Sequence, residues 1–201
     1  MSRIYNINNH LMKYNDSCID KKFPPPPTPD TVQIGNQIWA SENLEYDDGE
    51  GGIDIVECID TYGNNYGKHH FYTWDAANRI ANKINGFHLP SVNEWNTMIQ
   101  YTCGTGGGYQ GPDATPVQST TDWAGHVGTD LYGFNAKGYG YMDNGNISRV
   151  GWNAWWWASN KYSTDEYRTC SISTDVSESH IYAGNAYNQN TRHYSVRLVK
   201  D

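Results

Sequence analysis

The sequence predicts an α+β domain with a helix pair early and antiparallel strands late. Three observations carry this. Two segments between residues 74 and 102 have helical apolar spacing, and no helical period follows Gly104. The second half is a series of short aromatic runs separated by Gly, Asn and Asp, the pattern of short strands joined by turns.

The chain of 201 residues is long enough for one domain with a proper core and a short extra module. Hydrophobic residues are only 37%, while Tyr 16 and Trp 8 are high, so the core has to be largely aromatic. A net charge of -8 argues against a nucleic-acid groove, which needs a basic face for phosphate. No apolar run approaches the roughly 20 residues that span a bilayer, so no membrane insertion is expected. "MSRIYNINNHLMKYND" has no apolar stretch of the secretory-signal kind. Cys18, Cys58, Cys103 and Cys170 are scattered, without CxxC spacing, and read as mostly free, buried thiols.

Residues 1–22 are polar and without period, and read as a tether or small module. "FPPPPTPD" (residues 23–30) follows as a polyproline II spacer and domain boundary, because consecutive prolines fix φ and remove donors. The globular part is residues 31–201. "TVQIGNQIWA" reads as strand-turn-strand or a bulged strand about Gly35-Asn36. The acidic, turn-rich stretch with Asp47, Asp48, Glu50 and Asp54 reads as a solvated loop leading to a short strand at residues 53–58. In "TWDAANRIANKI", Trp74, Ala77, Ile80, Ala81 and Ile84 share one helical face, with Thr73 as N-cap. "LPSVNEWNTMIQYTCG" carries a capping box from Ser91 to Glu94, a buried face of Trp95, Met98, Ile99 and Thr102, and a stop at Gly104. The strand-like runs are "LYGFNA", "GYGYMDNG", "GWNAWWWASN", "EYRTCSIST", "HIYAG" and "YSVRLV".

Read in order, "IGNQIWASENLEY", "YGKHHFYTWDAA", "GFHLPSVNEWNTMI", "TDLYGFNA", "WNAWWWASNKY" and "YSVRLVKD" resemble the Fibrobacter succinogenes major paralogous domain, a family similar to the C-type lectin fold. The resemblance covers roughly residues 31–201. It implies a lectin-like domain with two helices, short antiparallel strands, long loops, and a first strand paired with the last. Val32/Ile34 and Val196/Leu198 are alternating apolar pairs that suit that pairing. The family commonly carries a cysteine before its "GWHLP" phrase and another in the final strand. Lys83 and Leu198 stand there, which implies folding without that disulfide.

Residues with catalytic or metal-binding chemistry form no constellation. A lectin's calcium site needs clustered oxygen ligands, but "QGPD" has an extra glycine and "WNA" lacks the carboxylate. His69 and His70 are adjacent, so in a strand they point to opposite faces and share no metal. Formylglycine-generating oxidases resemble this class and use paired late cysteines, whereas only Cys170 occurs late here. The expectation is therefore no enzyme, no metal and no cofactor, with a lectin-fold enzyme related to those oxidases as the third reading.

The polar tail carries the functional expectation. Residues 153–193 are rich in Tyr, Ser and Asn, the composition of antibody-like binding surfaces. Period-two logic places Arg168, Cys170 and Ile172 inward and Tyr167, Thr169, Ser171 and Ser173 outward, leaving Arg168 in need of a buried partner. The candidate ligand-binding residues are those four outward residues with Asn153, Trp155, Asn160 and Tyr162, then Tyr182, Asn185, Tyr187, Asn188, Asn190 and His193. Trp39, Trp74, Trp95, Trp156 and Trp157 read as the constant frame. Lectin-like relatives serve as variable proteins of diversity-generating retroelements, which implies a diversified surface, a protein or cell-surface ligand, and residues 1–22 tethering the domain to a virion or larger assembly, with an oligomer allowed. The alternative expectation is a constant structural or cell-surface domain of the family.

Overall fold

The computed structural model describes residues 23–105 and 111–201. The tether read at residues 1–22 and part of the "GTGGGYQGPD" loop lie outside the described residues.

The chain enters through its prolines, which carry no helix or strand and lie against the segment after the first hairpin: the Tyr46 hydroxyl donates to the Pro24 carbonyl. Strands β1 (Thr31–Ile34) and β2 (Gln37–Ala40) form a hairpin turning on Gly35, whose φ of +59° suits a residue without Cβ. A second hairpin joins β3 (Ile53–Ile59) to β4 (Asn65–Tyr72). Then come α1 (Trp74–Ala81), β5 (Phe87–His88) and α2 (Val92–Thr102). The Thr73 hydroxyl caps α1 by accepting from Ala76 N–H, and α2 begins with the reciprocal Ser91/Glu94 box. Short strands β6 (Tyr141–Asp143) and β7 (Asn146–Ser148) precede three long ones, β8 (Asn153–Lys161), β9 (Glu166–Thr174) and β10 (Ser179–Asn188). β11 (Arg192–His193) and β12 (Val199–Lys200) complete the chain.

Among the described residues these strands make four antiparallel sheets, ordered β1-β2-β12-β5, β10-β9-β8, β11-β6-β7 and β3-β4. The expected α+β, lectin-like class is thereby corrected. Strands take 40% and helix 11%, so the fold is predominantly β and small sheets, not a helix pair, set its frame. Of the aromatic runs read as short strands, "GWNAWWWASN", "EYRTCSIST" and "HIYAG" correspond to β8, β9 and β10, of 9, 9 and 10 residues, with β10 running well past its run. "LYGFNA" forms no strand and is turn and coil.

The closing strand is corrected too. It pairs with β2, not with β1: Val199 lies opposite Trp39, and Ala40 N–H donates to Leu198 C=O at 2.9 Å. β1 has folded back on β2 to become the sheet's edge, so β2 is the strand left with a free side. Only Val199–Lys200 is regular strand, and Tyr194 through Val199 are all buried, with no alternation. Tyr194, Val196 and Leu198 pack with α1, while Val199 packs with α2 and Trp39.

Between those apolar residues sits Arg197, fully buried. Its Nη1 donates to the carbonyls of Ala40 (3.1 Å) and Phe134 (2.7 Å), and its Nε and Nη2 donate to Asn43 Oδ1 (3.2 and 2.9 Å). The guanidinium lies 4.4 Å from the Phe134 ring centroid. Burial draws its pKa down to about 10, leaving it charged at neutral pH.

The acidic loop read as solvated is instead clamped to α1. Asp48, with its side chain 3% exposed, accepts from Arg79 Nε and Nη2 (2.9 Å each) and from Lys83 Nζ (2.8 Å). The Arg79 hydrogen bond, above all, holds the Asp48 carboxyl far below its ordinary value. Lys83 also reaches Glu50 at 2.7 Å.

Two predictions follow from these burials. Arg197→Met leaves carbonyl and amide acceptors unpaired and lowers stability by on the order of 3 kcal/mol in urea denaturation, with an unchanged m-value. Asp48 is depressed in the folded state, so its contribution is full above the unfolded carboxylate pKa near ~4 and is lost as pH falls below it. Asp48→Asn should be less stable than wild type at pH 7, with the gap closing toward pH 2 in thermal melts.

Candidate binding face

The β10-β9-β8 sheet has two faces, and antiparallel register sorts every residue onto one of them. Ala154, Trp156 and Ala158 of β8, Cys170 and Ile172 of β9, and Ile181 and Ala183 of β10 share the inner face. They pack against Trp39, Trp95, Met98 and Ile99 in one core cluster, where Trp95 lies 4.7 Å from Trp39 and 5.6 Å from Trp156.

The outer face is organised in rows that cross the sheet. Asn153, Ser173 and His180 form one row, Trp155, Ser171 and Tyr182 the next, then Trp157 with Thr169, and at the far end Tyr167 with Tyr187. α1 covers part of this face. Trp74 stacks on Tyr167 at 4.0 Å and 13°, and Tyr194 packs on Trp157 at 4.5 Å. Toward Asn153, among the described residues, nothing of that kind lies above the sheet, and the uncovered rows form the floor of an open cleft of about 830 Å³.

Asn153 and Trp155 come to the cleft from β8, Ser171 and Ser173 from β9, and His180, Tyr182, Asn185 and Tyr187 from β10. Thr174, the last residue of β9, and Asp175 and Glu178 of the β9–β10 turn complete the lining. A register shift between Ala183 and Ala186 interrupts the ladder where β10 passes Asn185. Trp155 is backed by Tyr194 (5.3 Å, stacked) and Tyr187 (5.0 Å, edge-on). Asp175 Oδ1 accepts from Ser177 N–H, Ser177 Oγ and Glu178 N–H, and the Ser177 amide, first among these, lowers its pKa.

Seven of the residues singled out from sequence therefore meet in one cleft: Asn153, Trp155, Ser171, Ser173, Tyr182, Asn185 and Tyr187. Tyr167 and Thr169 are corrected from outward to buried, at 5% and 1% exposed; their parity is that of Ser171 and Ser173, but their end of the face is roofed. Arg168 is corrected the other way. It is half-buried at the strand end, its guanidinium lies 4.3 Å over the Tyr162 ring, and its Nη1 donates to the Gly184 carbonyl. Asn160 instead accepts from Val92 N–H at the start of α2. Asn188 ends β10 opposite Glu166 and accepts from Asn190 N–H in the turn that follows, and His193 Nδ1 contacts Asp54 at 2.6 Å. The sequence reading passed over Thr174, Asp175, Glu178 and His180. His180 shares the parity of Tyr182, and Asp175 with Ser177 is an Asx-turn signal, so both were accessible to the same logic.

Elsewhere, His69 and His70 do not diverge as adjacent strand residues should: both Nδ1 atoms reach Glu45, His69 at 3.0 Å from Oε1 and His70 at 2.5 Å from Oε2. Burial opposes the charged Glu45, yet the hydrogen bonds from the two imidazoles outweigh it and lower its pKa. Among the described residues no group of three or more His, Cys, Asp or Glu side chains is placed to hold a metal. Cys58, Cys103 and Cys170 are free thiols; burial pushes Cys58 to about 12 and Cys170 well above its ordinary value. No helix among the described residues is long and apolar enough to cross a membrane.

The roofed and open ends of one strand predict opposite outcomes in thermal or urea unfolding. Tyr167→Ala should cost about 3–5 kcal/mol, as a buried aromatic does, whereas Ser173→Ala should stay within about 0.5 kcal/mol.

No curated protein and no solved structure matches the chain. The model of the Fibrobacter succinogenes major domain matches residues 32–200, which takes in every strand of the binding face and the closing strand beneath it. The chain belongs to the Fibrobacter succinogenes major domain family.

Proposed function

We propose that the protein is a non-enzymatic binding protein that presents the open rows of β8, β9 and β10 to a protein or cell-surface ligand. The observation that carries this reading is the alternation of roles along each strand. Asn153, Ser171, Ser173 and Tyr182 line the cleft, and each is flanked in sequence by a residue fully committed to the aromatic core. Such a face can change its chemistry while the core beneath stays as it is. Tyr and Trp supply contact area at low entropic cost, and Ser and Asn supply adaptable hydrogen bonding. Their position on a sheet rather than on long loops holds them in fixed geometry.

In its fuller form the reading makes this the face that a diversity-generating retroelement varies, which the family resemblance supports. Sequencing the locus across isolates tests it. Replacements should concentrate at Asn153, Ser171, Ser173, Tyr182 and Asn185 and spare Ala154, Trp156, Cys170, Ile172 and Ile181, beside a near-repeat template and a reverse transcriptase gene. An even spread with no such neighbours favours a constant structural domain. At the protein level, a display library randomised at the first set should keep wild-type expression, and one randomised at the second set should lose it.

A further inference from the structure

The proposed binding face has a chemical character that narrows its partner. Among the described residues no Lys or Arg lines the cleft, while two carboxylates, Asp175 and Glu178, stand at the turn. Asp175 is held through one oxygen by its own turn, which fixes the carboxylate in place; Glu178 is 61% exposed. The neighbouring wall is aromatic: Trp155, Tyr187 and the 42%-exposed Tyr182. An anionic ligand meets two carboxylates and no ammonium or guanidinium among the described lining residues. A planar cation meets ring faces and carboxylates together, the pair of partners that guanidinium uses best.

The protein places three of its own arginines on aromatic rings, and one of them on a carboxylate as well. Arg192 lies 5.1 Å from the Tyr141 ring centroid with Asp143 at 3.0 Å, Arg168 lies over Tyr162, and Arg197 lies over Phe134. The Glu178 carboxylate lies 3.4 Å from His180 Nε2, too far for a strong hydrogen bond, and stays open to solvent. A cleft of about 830 Å³ exceeds what one side chain fills, leaving room for flanking peptide.

Resting on the binding-face reading, the geometry points to an exposed loop of a protein partner that inserts an arginine between the aromatic wall and the Asp175/Glu178 turn. The test uses the full-length ¹⁵N-labelled protein and the tryptophan indole N–H resonances, with the Trp155 signal assigned by its absence in Trp155→Phe. Three probes are titrated: acetyl-Gly-Arg-Gly-amide, acetyl-Gly-Glu-Gly-amide and maltose. The arginine probe should give a saturable Trp155 shift with affinity on the order of millimolar, as expected of so small a ligand. The glutamate probe and maltose should give none. Glu178→Gln, which leaves the turn's hydrogen bonds intact, should weaken the arginine response several-fold, and Asp175→Asn/Glu178→Gln should abolish it with the rest of the spectrum unchanged. A silent arginine probe, an equal response to the glutamate probe, a shift by maltose alone, or indifference to Glu178→Gln overturns the assignment of an arginine-bearing partner. The binding face itself stands or falls separately, on the substitution pattern at the locus and in the display library.

Discussion

Asn43 Oδ1 is the point on which the architecture turns. It accepts from Arg197 Nε and Nη2 in the closing segment and from Trp156 Nε1 of β8 at 2.8 Å. Through Arg197 the same node reaches the end of β2 at Ala40 and the coil at Phe134. Burying a guanidinium costs several kcal/mol unless its donors are met. Here they are met by neutral oxygens and an aromatic face, with no carboxylate in the shell. That arrangement suits a delocalised, weakly hydrated cation and would not suit an ammonium. The consequence is a small, almost dry junction that locks the closing segment, the first hairpin and the long sheet in one relative position.

That lock matters for the binding face because β8 belongs to both. Trp156 looks inward to Asn43 and Trp95, and its neighbour Trp155 looks outward to Tyr182's row. The outer face then divides again along its length. α1, anchored by its Thr73 cap and by the Asp48 clamp on Arg79 and Lys83, carries Trp74 over the Tyr167 end and leaves the Asn153 end open. One helix of 8 residues decides which half of a sheet face is core and which is cleft.

Much of this was legible in the sequence. The caps of both helices, the hairpin at Gly35 and the parity of β9 follow from local chemistry, and local chemistry is what a single sequence displays. Parity placed Ser171 and Ser173 on the outward face that bears the cleft. What it could not display was the roof: Tyr167 and Thr169 have the same alternation as Ser173, and only the placement of α1 distinguishes them. The closing stretch misled for the same reason. Alternation marks a strand with one wet face, whereas Tyr194 to Val199 is enclosed on all sides, and its buried arginine reads as solvent-facing until Asn43 and Phe134 are brought to it. The balance of the fold was missed because glycine- and asparagine-punctuated aromatic runs look short, yet bulges at Ala183/Ala186 and Trp157/Lys161 let the strands continue past them.

The row geometry of β8, β9 and β10 also sets how such a protein can evolve. Each cleft row draws one residue from each of three consecutive strands, and each strand reads core and cleft alternately. Exchange of one side chain for another disturbs a single square of this grid. Insertion or loss of one residue within a strand would turn every following cleft residue into the core and every core residue into water. The length of these strands is therefore held far more tightly than their composition, and variation on this face is confined to a change of letters at fixed spacing.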